Sequence, residues 1–272
     1  MKKLNHFQTR PKVASINLAA YLNELGSLKE LPSKNYLRKL HRSHLLRFPF
    51  ENLDVFFHRK ITIDIHSVFN KIIPTQRGGF CYELNFLFYH LLIHLGYDCQ
   101  LISARTFNDA TESYGKEYDH MAILVKIQND IYLCDVGFGN GLVYPARLET
   151  DILQMDQTHF VQFVCDVDDV YYLRKSSDGQ TFKTLYKFEI KLREPIEFID
   201  MCDFHQTNPQ SYFVGKKIIT KLTDSGRITL DDAFLKIQEK GITNKIEVLN
   251  EDDFYTKMEE HFGITYQSLL LG

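Results

Sequence analysis

Apolar residues recur at two different spacings along the chain, and the change between them divides it into regions. Three segments of the first third have helical spacing; they cover residues 15–25, 33–46 and 81–95. From about Gln100 the pattern changes to short runs rich in β-branched and aromatic residues, which is typical of an antiparallel sheet or barrel. Helical character partly returns after Pro209, with a capped helix predicted over about 250–263. The pattern predicts helices, then strands, then a mixed tail, with boundaries near residues 98 and 205.

Composition is that of an ordinary globular protein. The 272 residues are 44% hydrophobic and 25% charged, which excludes collagen-like, coiled-coil and disordered proteins. Lysine and arginine number 32 against 35 acidic residues, and the net charge of -3 gives no general attraction to nucleic acid or an anionic membrane. The first residues contain no apolar signal-peptide core, and no apolar run approaches the roughly 18–20 residues that span a bilayer. We expect neither nucleic-acid nor membrane partners.

One cysteine differs from the others in its sequence context. The five cysteines contain no C-x-x-C pair, which favours a reducing compartment and a cytoplasmic protein; they are Cys81, Cys99, Cys134, Cys165 and Cys202. Four lie within or beside apolar strands and are expected to be buried and inert. Cys81, however, follows two glycines that permit a tight turn and begins a predicted helix. The helix start, with Arg77 nearby, should lower the pKa of this thiol and make it a reactive thiolate.

A predicted hairpin supplies a base and a carboxylate for that thiol. Segments 119–127 and 130–138 form its arms, and a two-residue loop at Gln128-Asn129 pairs Ile127 with Asp130. In this register His120 and Asp135 are diagonal neighbours on one face. Any loop of even length keeps them together, whereas a three-residue loop would separate them unless a bulge intervenes. Because an aspartate in so apolar a strand needs a partner, the pattern predicts a Cys81–His120–Asp135 triad.

Short motifs spread over most of the chain resemble those of one enzyme family. Arg-Gly-Gly-x-Cys-x-Glu-Leu-Asn is present as RGGFCYELN over 77–85, and Pro-Phe-Glu-Asn-Leu stands at 49–53. Asp-Val-Gly-Phe-Gly occupies 135–139, with a histidine fifteen residues before its aspartate. NPQSYF over 208–213 lies near the family's Ser-Pro-x-Ser-x-Phe element, and EHFGI over 260–264 near its Phe-Gly-Ile. The chain therefore resembles an arylamine N-acetyltransferase of bacterial type.

The resemblance implies an α+β fold of three domains around a Cys-His-Asp core like that of thiol proteases. These are a helical domain over 1–98, an antiparallel β-barrel domain over 99–205 and a C-terminal α/β lid over 206–272. It implies acetyl-CoA as donor and arylamines, arylhydrazines or related amines as acceptors, as in xenobiotic metabolism. Cys81 would become an acetyl-thioester, with His120 as base and Asp135 as the residue that orients it.

The same resemblance assigns residues to substrate and donor. Expected substrate contacts are Phe50 and Phe138, which would line the aromatic acceptor pocket, together with Arg77 and Phe80. Gly137 and Gly139 would let the backbone approach the CoA pyrophosphate. There are two departures: Asp119 stands where the family usually has a small or hydroxylated residue, and 140–142 read Asn-Gly-Leu. Asp119 would place negative charge beside the acceptor.

No metal is predicted. His90 and His94 have a spacing that can bind zinc, but the residues between them are apolar and no Glu follows His90, which favours a packed helix. A ping-pong acetyl transfer through Cys81 is the favoured mechanism. A papain- or transglutaminase-like thiol hydrolase or acyltransferase acting on peptides is the alternative enzyme. A degenerate homologue that only binds CoA or a partner is the non-enzymatic alternative. The oligomeric state is left open.

Overall fold

The computed structural model describes residues 14–270. The first residues of the chain, in which the sequence shows no apolar signal-peptide core, lie outside the described part. The helices are α1 Leu18–Glu24, α2 Lys34–Arg47, α3 Leu53–Phe56, α4 Ile65–Ile72, α5 Cys81–His94, α6 Ile199–Thr207, α7 Glu251–Phe262 and α8 Tyr266–Leu270. The first ten strands are β1 Phe50–Glu51, β2 Asp98–Asn108, β3 Ser113–Tyr114, β4 His120–Ile127, β5 Asp130–Cys134, β6 Ala146–Arg147, β7 Gln154–Asp156, β8 His159–Cys165, β9 Val170–Ser176 and β10 Lys183–Glu189. The last four are β11 Ile218–Leu222, β12 Gly226–Asp231, β13 Phe234–Glu239 and β14 Ile242–Glu247.

Helix α5 is the central element of the N-terminal region. Every residue from Cys81 to Leu92 is buried, so this helix packs on all sides rather than along one stripe. It ends at His94, and Gly96, two residues later, has a φ of 90°, the left-handed conformation that favours glycine after a helix. Helix α2 packs nearby and begins at Ser33, whose side chain accepts a hydrogen bond from the N–H of Tyr36. The three helices that the pattern predicts in this region are present.

The middle of the chain forms an antiparallel sheet that curls into a near-closed barrel. Its main path runs β6-β5-β4-β2-β10-β9-β8-β7, and β3 pairs with β2. The hairpin of β4 and β5 has the predicted register, with Ile127 opposite Asp130 and Ile123 opposite Cys134. Gln128 in its two-residue loop has a φ of 55°, as tight hairpin turns require. His120 and Asp135 therefore reach the same side of the sheet.

A second sheet closes the molecule and joins distant parts of the chain. Its order is β1-β11-β12-β13-β14, so residues 50–51 of the N-terminal region pair with the C-terminal strands, and Phe50 lies opposite Thr220. Helix α7 covers the apolar face of this sheet, where Phe254 and Met258 pack against Ile219 and Leu230. Neither the four strands over 218–247 nor helix α6 is evident from the sequence pattern. The predicted division at 205/206 falls inside α6.

No helix within residues 14–270 is long and apolar enough to cross a membrane.

Candidate active site

The turn before α5 is shaped by close backbone contacts. A β-carbon at Gly78 would lie 1.9 Å from the carbonyl oxygen of Pro49, so only glycine allows this approach. Gly79 then donates its N–H to the same carbonyl, and Glu51 donates to the carbonyl of Gly79. These contacts join the two motifs at 49–53 and 77–85. They hold Cys81 at the first position of the helix.

Two buried side chains stabilise the start of α5. The Glu83 carboxylate accepts a hydrogen bond of 2.9 Å from the N–H of Phe80, which caps the helix. Lys71 in α4 binds that carboxylate at 2.9 Å and reaches Asp54 at 2.7 Å. Burial alone would lower the pKa of Lys71, but Glu83, Glu51 and Asp54 raise it above its usual value. The lysine therefore stays charged and fixes the helix start.

Arg77 is a structural residue and does not contact substrate as expected. Its side chain is completely buried, and its guanidinium binds Glu51 at 2.8 Å and Asp54 at 2.7 Å. Burial alone would lower its pKa, but these two carboxylates raise it. Since its charge is neutralised inside the protein, Arg77 secures the turn before Cys81 and is not available to an acceptor.

His120 and Asp135 form a direct pair. Nε2 of His120 lies 2.8 Å from Oδ2 of Asp135, and both side chains are almost completely buried. Because Nε2 is engaged by the carboxylate, Nδ1 is the ring nitrogen left for proton transfer. Phe138 packs edge-on against the imidazole, with ring centroids 5.3 Å apart. The imidazole is thus held in one orientation at the cavity wall.

Asp135 accepts hydrogen bonds from three further groups. Tyr186 donates its hydroxyl at 2.9 Å, Asn85 donates Nδ2 at 3.0 Å, and the N–H of Gly137 donates at 3.0 Å. Burial alone would raise the pKa of Asp135, but the charge and hydrogen bond of His120 and the bonds from Asn85 and Gly137 outweigh it, so the pKa is lowered. The carboxylate therefore stays ionised.

The environment of Cys81 differs from the sequence expectation. The sequence predicts a low pKa for the Cys81 thiol. In the structure, burial raises this pKa well above its usual value, and Cys202, Asp119 and Asp135 raise it further. The N–H of Tyr82 at the helix start opposes this shift without cancelling it. The helix start alone therefore does not produce a thiolate. A thiolate here needs the proton to move to a neighbouring base whose cation Asp135 stabilises.

Cys81 and His120 open into one cavity of about 800 Å³. Its lining includes Phe50, Phe138, Gly137 and Gly139. A β-carbon at Gly137 would lie 2.9 Å from the α-carbon of Cys81, so the loop after β5 packs directly on Cys81. The cavity therefore joins sulfur, imidazole and two aromatic rings in one space.

Phe80 is the second expected substrate contact that the structure corrects. Its side chain is completely buried. It packs behind the cavity wall against Phe50 and Phe213, with ring centroids at 6.2 and 5.0 Å. Phe80 supports the aromatic lining instead of forming it.

Asp119, the departure noted in the sequence, has fixed partners. Its Oδ1 lies 3.0 Å from Nε2 of His205, and its Oδ2 accepts hydrogen bonds from the N–H and hydroxyl of Thr106. Burial alone would raise its pKa, but the bonds from His205 and Thr106 lower it. Both Asp119 and His205 line the cavity. The carboxylate of Asp119 is therefore held at the cavity wall by hydrogen bonds to Thr106 and His205.

Sequence reasoning missed several residues that position the triad. Tyr186 lies on β10, 51 residues from Asp135, and only the barrel closure brings them together. His41 in α2 accepts the N–H of Asp135 at 3.1 Å, and burial lowers its pKa to about 4, so its ring is neutral. Asn85 stands in the 77–85 motif, which was the one available signal.

No group of three or more His, Cys, Asp or Glu side chains within residues 14–270 could hold a metal ion. Nδ1 of His94 contacts the carbonyl of His90 at 2.7 Å, an interaction within one turn of α5.

Comparison with known proteins gives consistent matches along the chain. A family model described as N-acetyltransferase matches residues 35–270. The arylamine N-acetyltransferase of Escherichia coli (strain K12) is 29% identical over 234 residues, which are 84% of this chain and 81% of that protein. The arylamine N-acetyltransferase / N-hydroxyarylamine O-acetyltransferase of Salmonella typhimurium is 27% identical and covers 86% of this chain and 83% of its own. The structure of arylamine-N-acetyltransferase from M. tuberculosis is 27% identical with a TM-score of 0.87, covering 93% of this chain and 96% of that one.

Proposed function

The chain belongs to the N-acetyltransferase family, and from this premise we propose that it transfers an acetyl group from acetyl-CoA through Cys81 to an aromatic amine or hydrazine. One observation carries the proposal. Cys81 and His120 line the same cavity, and His120 is held at 2.8 Å by an ionised Asp135. A nucleophile, a base and an orienting carboxylate are the groups that a covalent acyl transfer requires.

In the first half-reaction Cys81 attacks the thioester carbonyl of acetyl-CoA. Nδ1 of His120 takes the thiol proton as the carbon–sulfur bond forms, and Asp135 stabilises the resulting imidazolium. Because burial raises the pKa of Cys81, a separate thiolate would be costly, and the transfer couples ionisation to attack. Backbone N–H groups at the start of α5, among them that of Tyr82, which hydrogen-bonds the sulfur, would donate to the developing oxyanion. CoA leaves as a thiol with the proton from His120.

In the second half-reaction the amine attacks acetyl-Cys81. Neutral His120 accepts a proton from the attacking nitrogen and returns one to the sulfur as the adduct collapses. The first half-reaction exchanges one thioester for another. The second converts the acetyl-Cys81 thioester into a more stable amide, so the free energy falls over the whole reaction. No step needs a metal or a redox cofactor in this scheme.

The aromatic lining supports an aromatic acceptor. The cavity that contains Cys81 and His120 is also lined by Phe50, Phe138, Phe204 and Phe213. Flat rings of an acceptor would stack or pack edge-on here. A free catalytic thiol also suits a reducing compartment, and we place the protein in the cytoplasm on that ground.

Steady-state kinetics test this function. The purified protein is assayed with acetyl-CoA and a panel of aromatic amines and hydrazines, and N-acetylated product and free CoA are both measured. We expect parallel double-reciprocal plots, the pattern of a ping-pong mechanism, and loss of activity in Cys81→Ala. Cys165→Ala, which alters a remote half-buried thiol on β8, serves as the matched control and should retain full rates.

Two outcomes would contradict the proposal. Intersecting double-reciprocal plots with full activity in Cys81→Ala would exclude a Cys81 intermediate. Cleavage of peptides without any acetylation of amines would favour the thiol-hydrolase alternative.

A further inference from the structure

The cavity has one wall that the triad does not use, and this wall comes from the C-terminal sheet. Along β12, Ile228 and Leu230 face the core under α7, so the alternating residues Arg227 and Thr229 face the opposite way. Both line the cavity. Thr220 on β11 lies opposite Thr229 and shares this face. The sheet thus presents a polar surface to the cavity.

Arg227 is the unusual residue on this surface. It is only 9% exposed, and within residues 14–270 its guanidinium has no carboxylate partner. Nη1 donates to the Thr220 hydroxyl at 3.2 Å. An arginine stays protonated even where burial lowers its pKa, here to about 10. A buried cation without a counter-ion is costly, which indicates that an anion completes the site.

Other arginines and lysines show the contrast. Arg77 is completely buried but binds two carboxylates, at 2.7 and 2.8 Å. Lys236 lines the same cavity and is paired with Asp231 at 2.7 Å. Arg227 therefore differs from the buried cations that the fold uses for stability.

A second cation stands close to Arg227. The pKa of Lys175 is lowered to about 8. Burial is the main cause, Asp156 acts in the opposite direction, and the charge of Arg227 adds to the lowering. The Asp156 carboxylate also accepts the N–H groups of Val143 and Tyr144, both at 2.8 Å. Nζ of Lys175 binds the carbonyls of Asn140 and Gly141 at 3.3 and 3.2 Å. Two cations, Lys175 and Arg227, thus lie near the loop at 139–141, and one neighbouring carboxylate, that of Asp156, balances only one of them.

This wall is a short distance from the nucleophile. Gly137 packs on Cys81, and a β-carbon at Gly139 would lie 3.3 Å from Cγ2 of Thr220, the partner of Arg227. Two residues of chain span at most roughly 7 Å. A ligand with its thioester at Cys81 and a long flexible arm would bring a distal group to Arg227.

We propose that Arg227, with the Thr220 hydroxyl and the Gly139–Asn140 loop, binds a phosphate group of the acyl-CoA donor. This inference rests on the proposed function, since it assigns the donor to the cavity that contains Cys81. A guanidinium with free N–H groups binds phosphate oxygens through charge-assisted hydrogen bonds. The two sources of such a group in CoA are the diphosphate and the 3′-phosphate.

The assignment is tested by combining a substitution at Arg227 with a shortened acetyl donor that lacks the phosphates. Arg227→Gln is compared with the unaltered protein on acetyl-CoA and on S-acetylpantetheine, which has the same thioester and arm but no phosphate. We expect the KM for acetyl-CoA to rise at least about tenfold with kcat within about twofold. The kcat/KM for S-acetylpantetheine should stay unchanged. Acetyl-dephospho-CoA then assigns the contact: a persisting effect indicates the diphosphate, and a lost effect indicates the 3′-phosphate.

Arg147→Gln is the matched control. Arg147 lies half-exposed on β6 and pairs with Asp130 and Glu149. Its substitution removes the same charge and should leave both donors unaffected. An unchanged KM for acetyl-CoA in Arg227→Gln, or equal losses on acetyl-CoA and S-acetylpantetheine, would overturn the proposal.

A measurement on the unaltered protein covers the case in which Arg227→Gln does not fold. Inorganic pyrophosphate should compete with acetyl-CoA and leave turnover of S-acetylpantetheine unchanged, and absence of competition at tens of millimolar would contradict the proposal. Failure of the proposed function would be seen separately, as lack of turnover of any acetyl donor by the unaltered protein.

Discussion

At the scale of single residues, the site depends on how a buried carboxylate is kept ionised. Asp135 accepts hydrogen bonds from His120, Tyr186, Asn85 and the N–H of Gly137, which together outweigh the effect of burial. Its pKa is lowered, so it remains charged at neutral pH and loses its effect only as the pH falls through that low value. The orientation of His120 is therefore independent of pH around neutrality.

Asp135→Asn should reduce kcat/KM by about 10²–10⁴-fold, because one carboxylate oxygen becomes an NH2 group that cannot accept the hydrogen bonds at its position and favours the wrong imidazole tautomer. Tyr186→Phe removes one donor only and should cost roughly tenfold or less. Both are measured as kcat/KM with one acceptor, with circular dichroism to check folding. Activity of Asp135→Asn within twofold of the unaltered protein would contradict the role of the carboxylate.

The thiol of Cys81 should depend on His120 for its reactivity. Since burial raises the pKa of Cys81, removal of the base in His120→Ala should shift the pH profile of iodoacetamide labelling to higher pH, where the thiolate forms unaided. Labelling is followed by peptide mass spectrometry from pH 5 to 10, and Cys165, a half-buried thiol elsewhere, is the internal reference. Equal profiles in both proteins would mean that His120 does not take the proton.

Residue-level predictions succeeded where the reasoning was local. The prediction that His120 and Asp135 share one face used only hairpin register, and the observed pairing of Ile127 with Asp130 confirms that register. The expectation for Arg77 was wrong because its partners, 23 and 26 residues away, could not be identified from spacing. The pKa of Cys81 was misjudged because burial, which sequence does not reveal, outweighs the helix start.

At the scale of elements, α5 begins with Cys81, the proposed nucleophile, and a buried ion network secures the start of this helix. Lys71 and Arg77 bind Glu51, Asp54 and Glu83, which come from β1, α3 and α5. One carboxylate caps the helix, so the network connects stability to the position of Cys81.

Lys71→Met should therefore destabilise the protein by about 3–5 kcal/mol, because it leaves buried carboxylates without a counter-charge. Lys39→Met is the matched control, since Lys39 pairs with Glu30 at 3.4 Å on the surface and should cost no more than about 1 kcal/mol. Urea unfolding at pH 7 measures both. Equal losses would show that the network contributes no more than a surface pair.

Elements with a regular pattern were predictable, and those formed by distant pairing were not. The leucine spacing of α5 and the β-branched and aromatic runs of β4 and β5 were visible in the sequence. Strands β11 to β14 were missed because they mix charged residues with isolated apolar ones, and β14 is exposed along its whole length. Strand β1 has only two residues and exists because Phe50 pairs with Thr220, a contact across the chain.

At the scale of the whole molecule, the cavity is assembled from all three regions of the chain. Its lining runs from Phe50 to Thr243 and includes the helix start, the barrel hairpin and the C-terminal sheet. The N-terminal segment at 50–51 is part of that sheet. The same segment bonds the turn before Cys81, so the second sheet also helps to position Cys81. The α+β fold with a central barrel agrees with the prediction, while the shared sheet and its polar wall are visible only in three dimensions.

The central claim is that Cys81 carries the acetyl group. It is tested most directly by intact-mass spectrometry of the protein mixed with acetyl-CoA in the absence of acceptor. We expect the addition of one acetyl group per chain, found after proteolysis on the peptide that contains Cys81 and lost when an aromatic amine is added. An unmodified Cys81 in a preparation that still acetylates amines, or an acetyl group located on another residue, would contradict the account.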